Sequence, residues 1–232
     1  MDLVSFDLDG TLVDTAAEIA EAVNRTLADF DIGRRPLPEI EALIGDGAHA
    51  LMRRLVARIA DEGGAAAQAA DINAVLARLD EHYGQTAGTT SQAYPGCRET
   101  LDRLLKNGVR LVCVTNKEIA HARRVLEATG LVDAFEMLVG GDSLPWKKPH
   151  PAVLAHVLSE LQVSAARAAH VGDSQTDVEA AHNAGVAAWA VPWGYNAGRR
   201  IADAAPARIF DALSQVADHV IALRGQPHNP GS

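Results

Sequence analysis

Three observations in this sequence predict an α/β fold, a parallel sheet with helices on both faces. Short apolar runs recur at Leu3-Val4-Ser5-Phe6, 109–114, Met137-Leu138-Val139, 168–171 and 186–191, alternating with segments of helical period. Such alternation is the signature of strands joined through crossover helices. Four of the five runs end on polar or acidic groups: Asp7 and Asp9, Thr115 and Asn116, Asp142, and Asp173. In open parallel sheets, ligands bind outside the carboxyl ends of the strands, so these residues share one functional edge. The third observation is an interruption: residues 15–92 keep helical spacing throughout and nowhere alternate like a strand, which predicts a small all-helical insert after the first strand.

The elements follow in order. The run from Leu3 to Phe6 is a short buried strand leading into Asp7. Residues 15–30 place Ile19, Val23, Leu27 and Phe30 at helical spacing, and Gly33 and Pro36 break that helix. Leu51, Leu55 and Ile59 repeat the pattern over 48–61, Gly63-Gly64 opens a break, and Ile72, Val75, Leu76, Leu79 and Tyr83 carry it over 71–83. Pro95-Gly96 marks the return to the sheet-forming part. A helix over 97–107, with Leu101, Leu104 and Leu105, stops at Gly108. The near-continuous apolar run 109–114 suits a strand covered on both faces. It ends at Thr115-Asn116-Lys117, before a helix over 118–129 closed by Gly130. Residues 137–139 form a strand ending at Gly140-Gly141-Asp142, and a helix over 151–161 presents Val153, Leu154, Val157, Leu158 and Leu161. The strand 168–171 ends at Gly172-Asp173, and a short helix over 176–184 leads to Gly185 and a fifth strand over 186–191. A short helical tail follows Tyr195, and Gly225-Gln226-Pro227-His228-Asn229-Pro230 is expected to fray. This division gives a core of residues 1–14 and 93–232 and an insert of residues 15–92.

The chain has 232 residues, 48% of them hydrophobic, enough for a core plus a smaller second one. A net charge of −9 argues against a nucleic-acid footprint and against binding to an anionic membrane surface. Local cations in a cleft still permit an anionic substrate. The two cysteines, Cys97 and Cys113, form no metal knuckle or redox pair. The N-terminus, with Asp2, Asp7 and Asp9, is unlike a signal peptide, and no apolar run approaches the roughly 18–20 residues that span a bilayer. A cytoplasmic location and a monomer or homodimer are the expectations.

The most informative segment is Phe6-Asp7-Leu8-Asp9-Gly10-Thr11. Asp7 and Asp9 stand two apart where the first strand runs out, so both side chains leave the same face and converge on one centre. Gly10 permits a tight departure. Like charges in a partly buried site repel unless a cation neutralises them, and hard oxygen ligands suggest Mg²⁺.

Four segments in series now resemble the haloacid dehalogenase superfamily of phosphotransferases. Asp7-Leu8-Asp9-Gly10-Thr11 looks like its nucleophile motif, and Thr115 stands where its strand-end hydroxyl does. Lys148-Pro149 looks like its lysine at a helix start, and Gly172-Asp173-Ser174-Gln175-Thr176-Asp177 looks like its acidic motif. The match runs to about Tyr195. It implies a Rossmann-like core, and the helical insert resembles the cap of the C1 subgroup. Within that subgroup Leu12-Val13-Asp14-Thr15, Ile44-Gly45-Asp46-Gly47, Thr115-Asn116-Lys117 and Trp193-Gly194-Tyr195 are most similar to bacterial phosphoglycolate phosphatases.

The resemblance implies a role for each of these residues. Asp7 attacks phosphorus and forms an aspartyl-phosphate, and Asp9 protonates the leaving alkoxide and then activates water. Mg²⁺ sits on the Asp7 carboxylate, the Asp9 main-chain carbonyl and Asp173. Thr115 and the Asn116 amide bind the phosphoryl oxygens, Lys148 offsets charge, and Asp177 orients metal waters or Lys148. The implied substrate is a small phosphorylated molecule, 2-phosphoglycolate first, with other phosphosugars, pyrophosphate or a phosphosugar mutase reaction as alternatives.

Taken singly, several residues have plainer readings. Thr115 is also a strand-end hydroxyl, and Lys147 and Lys148 also read as a solvated pair. Asp142 reads as a turn residue, and His150, His156, His170 and His182 as packing or surface residues. Trp189 and Trp193 read as core and cleft-wall aromatics. Arg53 and Arg54 fall on a solvated helix face or face a substrate carboxylate. Asp46 belongs either to a loop over the site or to an ordinary turn between helices.

Overall fold

The computed structural model describes residues 1–225. Its centre is a parallel sheet of six strands: β1 (Leu3–Phe6), β4 (Arg110–Val114), β5 (Met137–Val139), β6 (Ala168–Gly172), β7 (Ala187–Ala190) and β8 (Arg208–Ile209). The strand order is β5-β4-β1-β6-β7-β8, with every pairing parallel. β1 lies in the middle, with Phe6 opposite Cys113 on one side and Val171 on the other. The carboxyl ends of β1, β4 and β6 are therefore adjacent, which brings Asp7, Thr115 and Asp173 together.

Side chains alternate across β1 as the pleat requires. Val4 and Phe6 enter a core with Leu101 and Leu104 of α6 (Cys97–Lys106), Val125 and Leu126 of α7 (Ile119–Ala128), and Val216 and Val220 of α10 (Leu213–Gly225). Leu3 enters the opposite core with Val153, Leu154 and Val157 of α8 (Ala152–Leu161) and Val178 of α9 (Gln175–Ala184). Each fully buried Leu or Val contributes about 1.5–3 kcal/mol, so a sheet covered on both faces explains why β4 reads as an unbroken apolar run.

The insert is helical, with α1 (Ala16–Asp29), α2 (Leu37–Glu41), α3 (Ala48–Asp61), α4 (Ala65–Ala69) and α5 (Ile72–Thr86). It has its own core, in which Val23, Leu27, Ile40, Met52, Leu55, Val75 and Leu79 are buried. The chain enters and leaves through an antiparallel ribbon of β2 (Val13–Asp14) and β3 (Gln92–Ala93). The sequence signals missed this ribbon because two-residue strands have no periodicity. They also gave five sheet strands where six exist: β8, Arg208-Ile209, adds an edge strand within what reads as a helical tail. The tail expected to fray lies, past Gly225, outside the described residues. Among those residues, no helix is long and apolar enough to cross a membrane.

Candidate active site

β1 ends with the Asp7 N–H donating to Val171 O at 2.9 Å, which fixes Asp7 on the sheet edge. The next residues turn sharply, anchored by the buried Leu8 and Leu12. Gly10 has φ +81°, and a Cβ there would come within 3 Å of both Asp173 and Tyr195, so only glycine passes. The turn puts the Thr11 hydroxyl on Asp173 Oδ1 at 2.7 Å, while the Tyr195 N–H donates to Asp173 Oδ2 at 2.5 Å. Asp173 is thus gripped from the first and last strand-end loops of the site.

Lys148 is buried beneath Asp7. Its ammonium donates to Val114 O at 2.7 Å and to Asp177 Oδ1 at 2.6 Å, and lies 2.9 Å from Asp7 Oδ1. Apart from this ion pair, no donor reaches that buried oxygen. Asn116 sets the lysine's backbone, with its Oδ1 accepting from Lys148 N at 2.9 Å and its Nδ2 donating to Lys148 O at 3.0 Å. The same Nδ2 lies 3.1 Å from Gly45 O in the insert. Phosphoryl binding was expected of the Asn116 amide, and the side-chain carboxamide is committed to these partners instead.

Asp177 opens α9 in a reciprocal cap with Ser174, taking Ser174 Oγ at 2.6 Å and Ser174 N at 3.1 Å on its second oxygen. His170, buried on β6, stands 3.3 Å from Asp177 and 2.9 Å from the Ser5 hydroxyl. It belongs to a polar relay under the site. Asp142 accepts from Ile119 N at 2.7 Å and caps α7, as a turn residue does. Lys147 lies at the rim, 3.7 Å from Glu118.

Asp9 Oδ1 accepts from the Thr15 hydroxyl at 2.7 Å and from Lys117 Nζ at 2.7 Å. The Lys117 side chain is only 1% exposed, with its ammonium 5.0 Å from the centroid of the Tyr83 ring of α5. Sequence reasoning quoted Lys117 only as part of a resemblance and missed this pair. No spacing rule makes a lysine two residues past a strand end fold back on the first loop. Thr115 is buried beside it and accepts from Lys117 N at 3.2 Å.

Helix α3 begins at Gly47, beside the site. A Cβ on Gly47 would meet Asn116 O and Lys147 Nζ at 2.9 Å. Asp46 pairs with Arg54 and lies 3.4 Å from the Thr176 hydroxyl, so its loop covers the site, whereas Arg53 and Arg54 are exposed. The pocket between insert and core is lined by Asp7, Asp9, Thr115, Lys117, Ile44 and Tyr83, among others, and is narrow, with about 30 Å³ of free space.

Electrostatics follow the packing. Burial pushes the Asp7 carboxyl up to about 7 despite Lys148, with Asp177 and Asp9 adding to the rise. Burial, Asp177 and Asp7 push Asp173 well above the carboxylate range. Burial acts the same way on Asp177, but Lys148 and His170 outweigh it and hold that carboxyl below its ordinary value. Oxygens of Asp7, Asp173 and Asp177 lie within 4.8 Å of one another. Three buried carboxylates, two of them resisting ionisation, with oxygens within 4.8 Å of one another, fit a divalent cation. The Asp9 carboxylate stands outside this cluster. Asp177 already has the Lys148 ammonium on one oxygen, which Asp173 does not, and that suits a positioning role.

Residues 4–191 match the family model described as haloacid dehalogenase-like hydrolase. The chain is 37% identical over 214 residues to a phosphoglycolate phosphatase of Pasteurella multocida, covering 92% of this chain and 96% of that one. It is 41% identical to one of Pseudomonas savastanoi pv. phaseolicola, covering 92% and 78%. A solved structure described as a predicted phosphoglycolate phosphatase from Haemophilus somnus superposes with a TM-score of 0.88 at 32% identity, over 94% of this chain and 97% of that one. With the four motif segments meeting at one sheet edge and a family match over most of the chain, this protein belongs to the haloacid dehalogenase-like hydrolases and is a phosphatase of that family.

Proposed function

We propose that the chain is a Mg²⁺-dependent phosphomonoester hydrolase that works through an aspartyl-phosphate on Asp7, with 2-phosphoglycolate as its substrate. The observation that carries the reading is the buried Asp7 carboxylate at the sheet edge, with one oxygen paired only with the Lys148 ammonium and oxygens of Asp173 and Asp177 within 4.8 Å. Lys148 keeps Asp7 available as an anion and offsets the charge of the incoming phosphoryl group. An Asp7 oxygen forms a bond to phosphorus while the bond from phosphorus to the ester oxygen breaks. Asp9, facing the same pocket, gives its proton to the departing alkoxide. In the second half Asp9 takes a proton from water, the water oxygen bonds to phosphorus, and the Asp7 carboxylate is regenerated with release of phosphate.

Thr115 donates its hydroxyl to a phosphoryl oxygen. With the Asn116 carboxamide occupied, that residue's share falls to its main-chain N–H. Asp7, Asp173 and the Asp9 main-chain carbonyl would hold Mg²⁺, with Asp177 fixing Lys148 beneath them. When bound, the cation supplies charge neutralisation for nucleophile and phosphoryl oxygens. Relatives named phosphoglycolate phosphatase support the choice of substrate.

The test is phosphate release from 2-phosphoglycolate, with and without a chelator, combined with intact-protein mass spectrometry. Chelation should abolish release and Mg²⁺ restore it. Asp7→Asn should lower kcat by about three or more powers of ten. Asp9→Asn should accumulate one phosphoryl group on the protein when given a substrate with a good leaving group, and the double variant should not. Turnover of Asp7→Asn within about tenfold of wild type would refute the nucleophile.

A further inference from the structure

We propose that Lys117 receives the carboxylate of the substrate and so makes the enzyme selective for phosphomonoesters that carry a second anionic group close to phosphorus. The inference rests on the hydrolase reading above and names the recognition element of that same site.

The pocket needs such a group, and the insert does not provide one. The side chains it contributes to the pocket wall, Ile19, Ile44, Ala48, Leu51 and Tyr83, are uncharged. The insert contains no lysine. Of its arginines, Arg54 pairs with Asp46 outside the pocket wall, and Arg53 is exposed. Lys148 lies below the wall, occupied by Asp7, Asp177 and Val114 O. Among the described residues, Lys117 is the one cation in the pocket lining. A dianionic phosphoryl group with a carboxylate attached would otherwise meet Asp7 and Asp9 with nothing to oppose the second charge, and a buried unopposed charge is costly.

Geometry and valence both fit. An ammonium has three donors. Asp9 Oδ1 takes one and the Tyr83 ring lies beside the ammonium, its centroid 5.0 Å away, which leaves donors for a ligand without breaking the Asp9 contact. Asp9 is also held independently by Thr15 at 2.7 Å. Lys117 follows Thr115 by two residues, so the phosphoryl-binding hydroxyl and the ammonium spring from backbone positions no more than about 7 Å apart. Both line the same narrow pocket, so a short anion can meet the hydroxyl and the ammonium together. Tyr83 comes from the insert, so the recess around Lys117 is complete only when the insert covers the core.

The experiment compares 2-phosphoglycolate with ethyl phosphate, the same kind of ester without the carboxylate, in wild type, Lys117→Met, Lys117→Gln and Lys117→Arg, each checked for cooperative melting. Wild type should prefer 2-phosphoglycolate by about a hundredfold or more in kcat/KM. The Met and Gln variants should lose about tenfold or more on 2-phosphoglycolate beyond whatever they lose on ethyl phosphate through Asp9, so that the preference collapses. Arginine should keep part of it. Equal losses on both esters would show that Lys117 serves Asp9 alone and would overturn the proposal. So would a wild-type enzyme that treats the two esters alike, a measurement that needs no variant to fold. If wild type releases phosphate from neither ester with Mg²⁺, the hydrolase reading itself fails and takes this inference with it.

Discussion

Lys148 divides its ammonium among Asp177, Val114 O and Asp7, all buried, whereas Lys147, its neighbour, reaches Glu118 at 3.7 Å and Asn116 O at 3.5 Å with its side chain 37% exposed. Replacing Lys148 by alanine leaves two buried carboxylates without their cation, and kcat should fall by about two to four powers of ten. Lys147→Ala should cost under about 1 kcal/mol. Steady-state kinetics on both variants, each with a thermal melt, checks the ranking, and the reverse order would mean the catalytic lysine is misassigned. Glu18 gives a second prediction. It is buried on α1, takes Gly88 N at 2.9 Å and Ser91 Oγ at 2.6 Å on one oxygen, and leaves the other undonated. Burial raises its carboxyl above the ordinary glutamate value. A raised carboxyl favours the fold while protonated in it, and that contribution is lost as pH rises through the folded-state value. Glu18→Gln cannot ionise, so its melting temperature relative to wild type should rise between acid and neutral pH. A difference that stays flat with pH, or falls, would contradict the assignment. Asp7 and Asp173 were legible in the sequence because an apolar run ending in carboxylates has a known place on a parallel sheet. Glu18 was not legible, because its partners lie 70 and 73 residues away across the insert.

At the scale of elements, the loop after β7 joins the candidate metal site to the base of the insert. The Tyr195 N–H holds Asp173, while the Tyr195 hydroxyl accepts from Thr15 N and Ala16 N at 3.0 Å each and donates to Asp14 Oδ1 at 2.5 Å. Thr15 is the N-cap residue of α1, and its own side chain is spent on Asp9. A tyrosine from the far end of the sheet therefore satisfies the free N–H groups that every helix start leaves. Tyr195→Phe should destabilise the protein by about 1–3 kcal/mol, read as a lowered urea midpoint, while the Asp173 contact, which uses the backbone, persists. An unchanged midpoint would mean that water replaces the hydroxyl without loss. Elements of this kind divide sharply in how far sequence reveals them. β4 and β6 are covered on both faces and so are written as apolar runs. β8 has only Arg208 and Ile209, both exposed, and its membership in the sheet comes from Phe210, Leu213 and Val216 packing behind it. The β2–β3 ribbon is likewise fixed by the junction it closes, not by its residues. Lys117 is hidden for a related reason: its strand end was readable, but the direction of its side chain is set by Asp9, Thr15 and Tyr83, which come from three other elements.

The described residues form three apolar cores, one on each face of the sheet and one on α1–α5, with the candidate site between sheet and insert. Only the paired strands β2 and β3 join the insert to the sheet covalently. As it stands the interface is shut. Asn116 reaches Gly45 O, the Tyr83 ring packs on His121 at 4.5 Å between centroids, and the free space over Asp7 and Asp9 is about 30 Å³. The space left over Asp7 and Asp9 is narrow for a phosphorylated substrate, so we expect the insert to swing away for entry. The two-strand ribbon is where such a hinge would bend. On the proposed mechanism, closure would exclude bulk water while Asp7 attacks, and reopening would release phosphate. Asp46 of the insert and Thr176 of α9 face each other across this interface, with side-chain oxygens 3.4 Å apart, while Cys97 and Cys113 are buried away from reagent. Replacing both Asp46 and Thr176 by cysteine and linking them with a short, reducible bifunctional thiol reagent should hold the insert down. The linked protein should lose about a hundredfold or more in kcat/KM and regain it on reduction. Each single-cysteine variant treated in the same way should keep its activity, which separates blocked motion from damage to the loop. A linked enzyme that turns over at the unlinked rate would mean that substrate reaches Asp7 without the insert moving. The small closed volume would then have to be relieved by loop motion within the core.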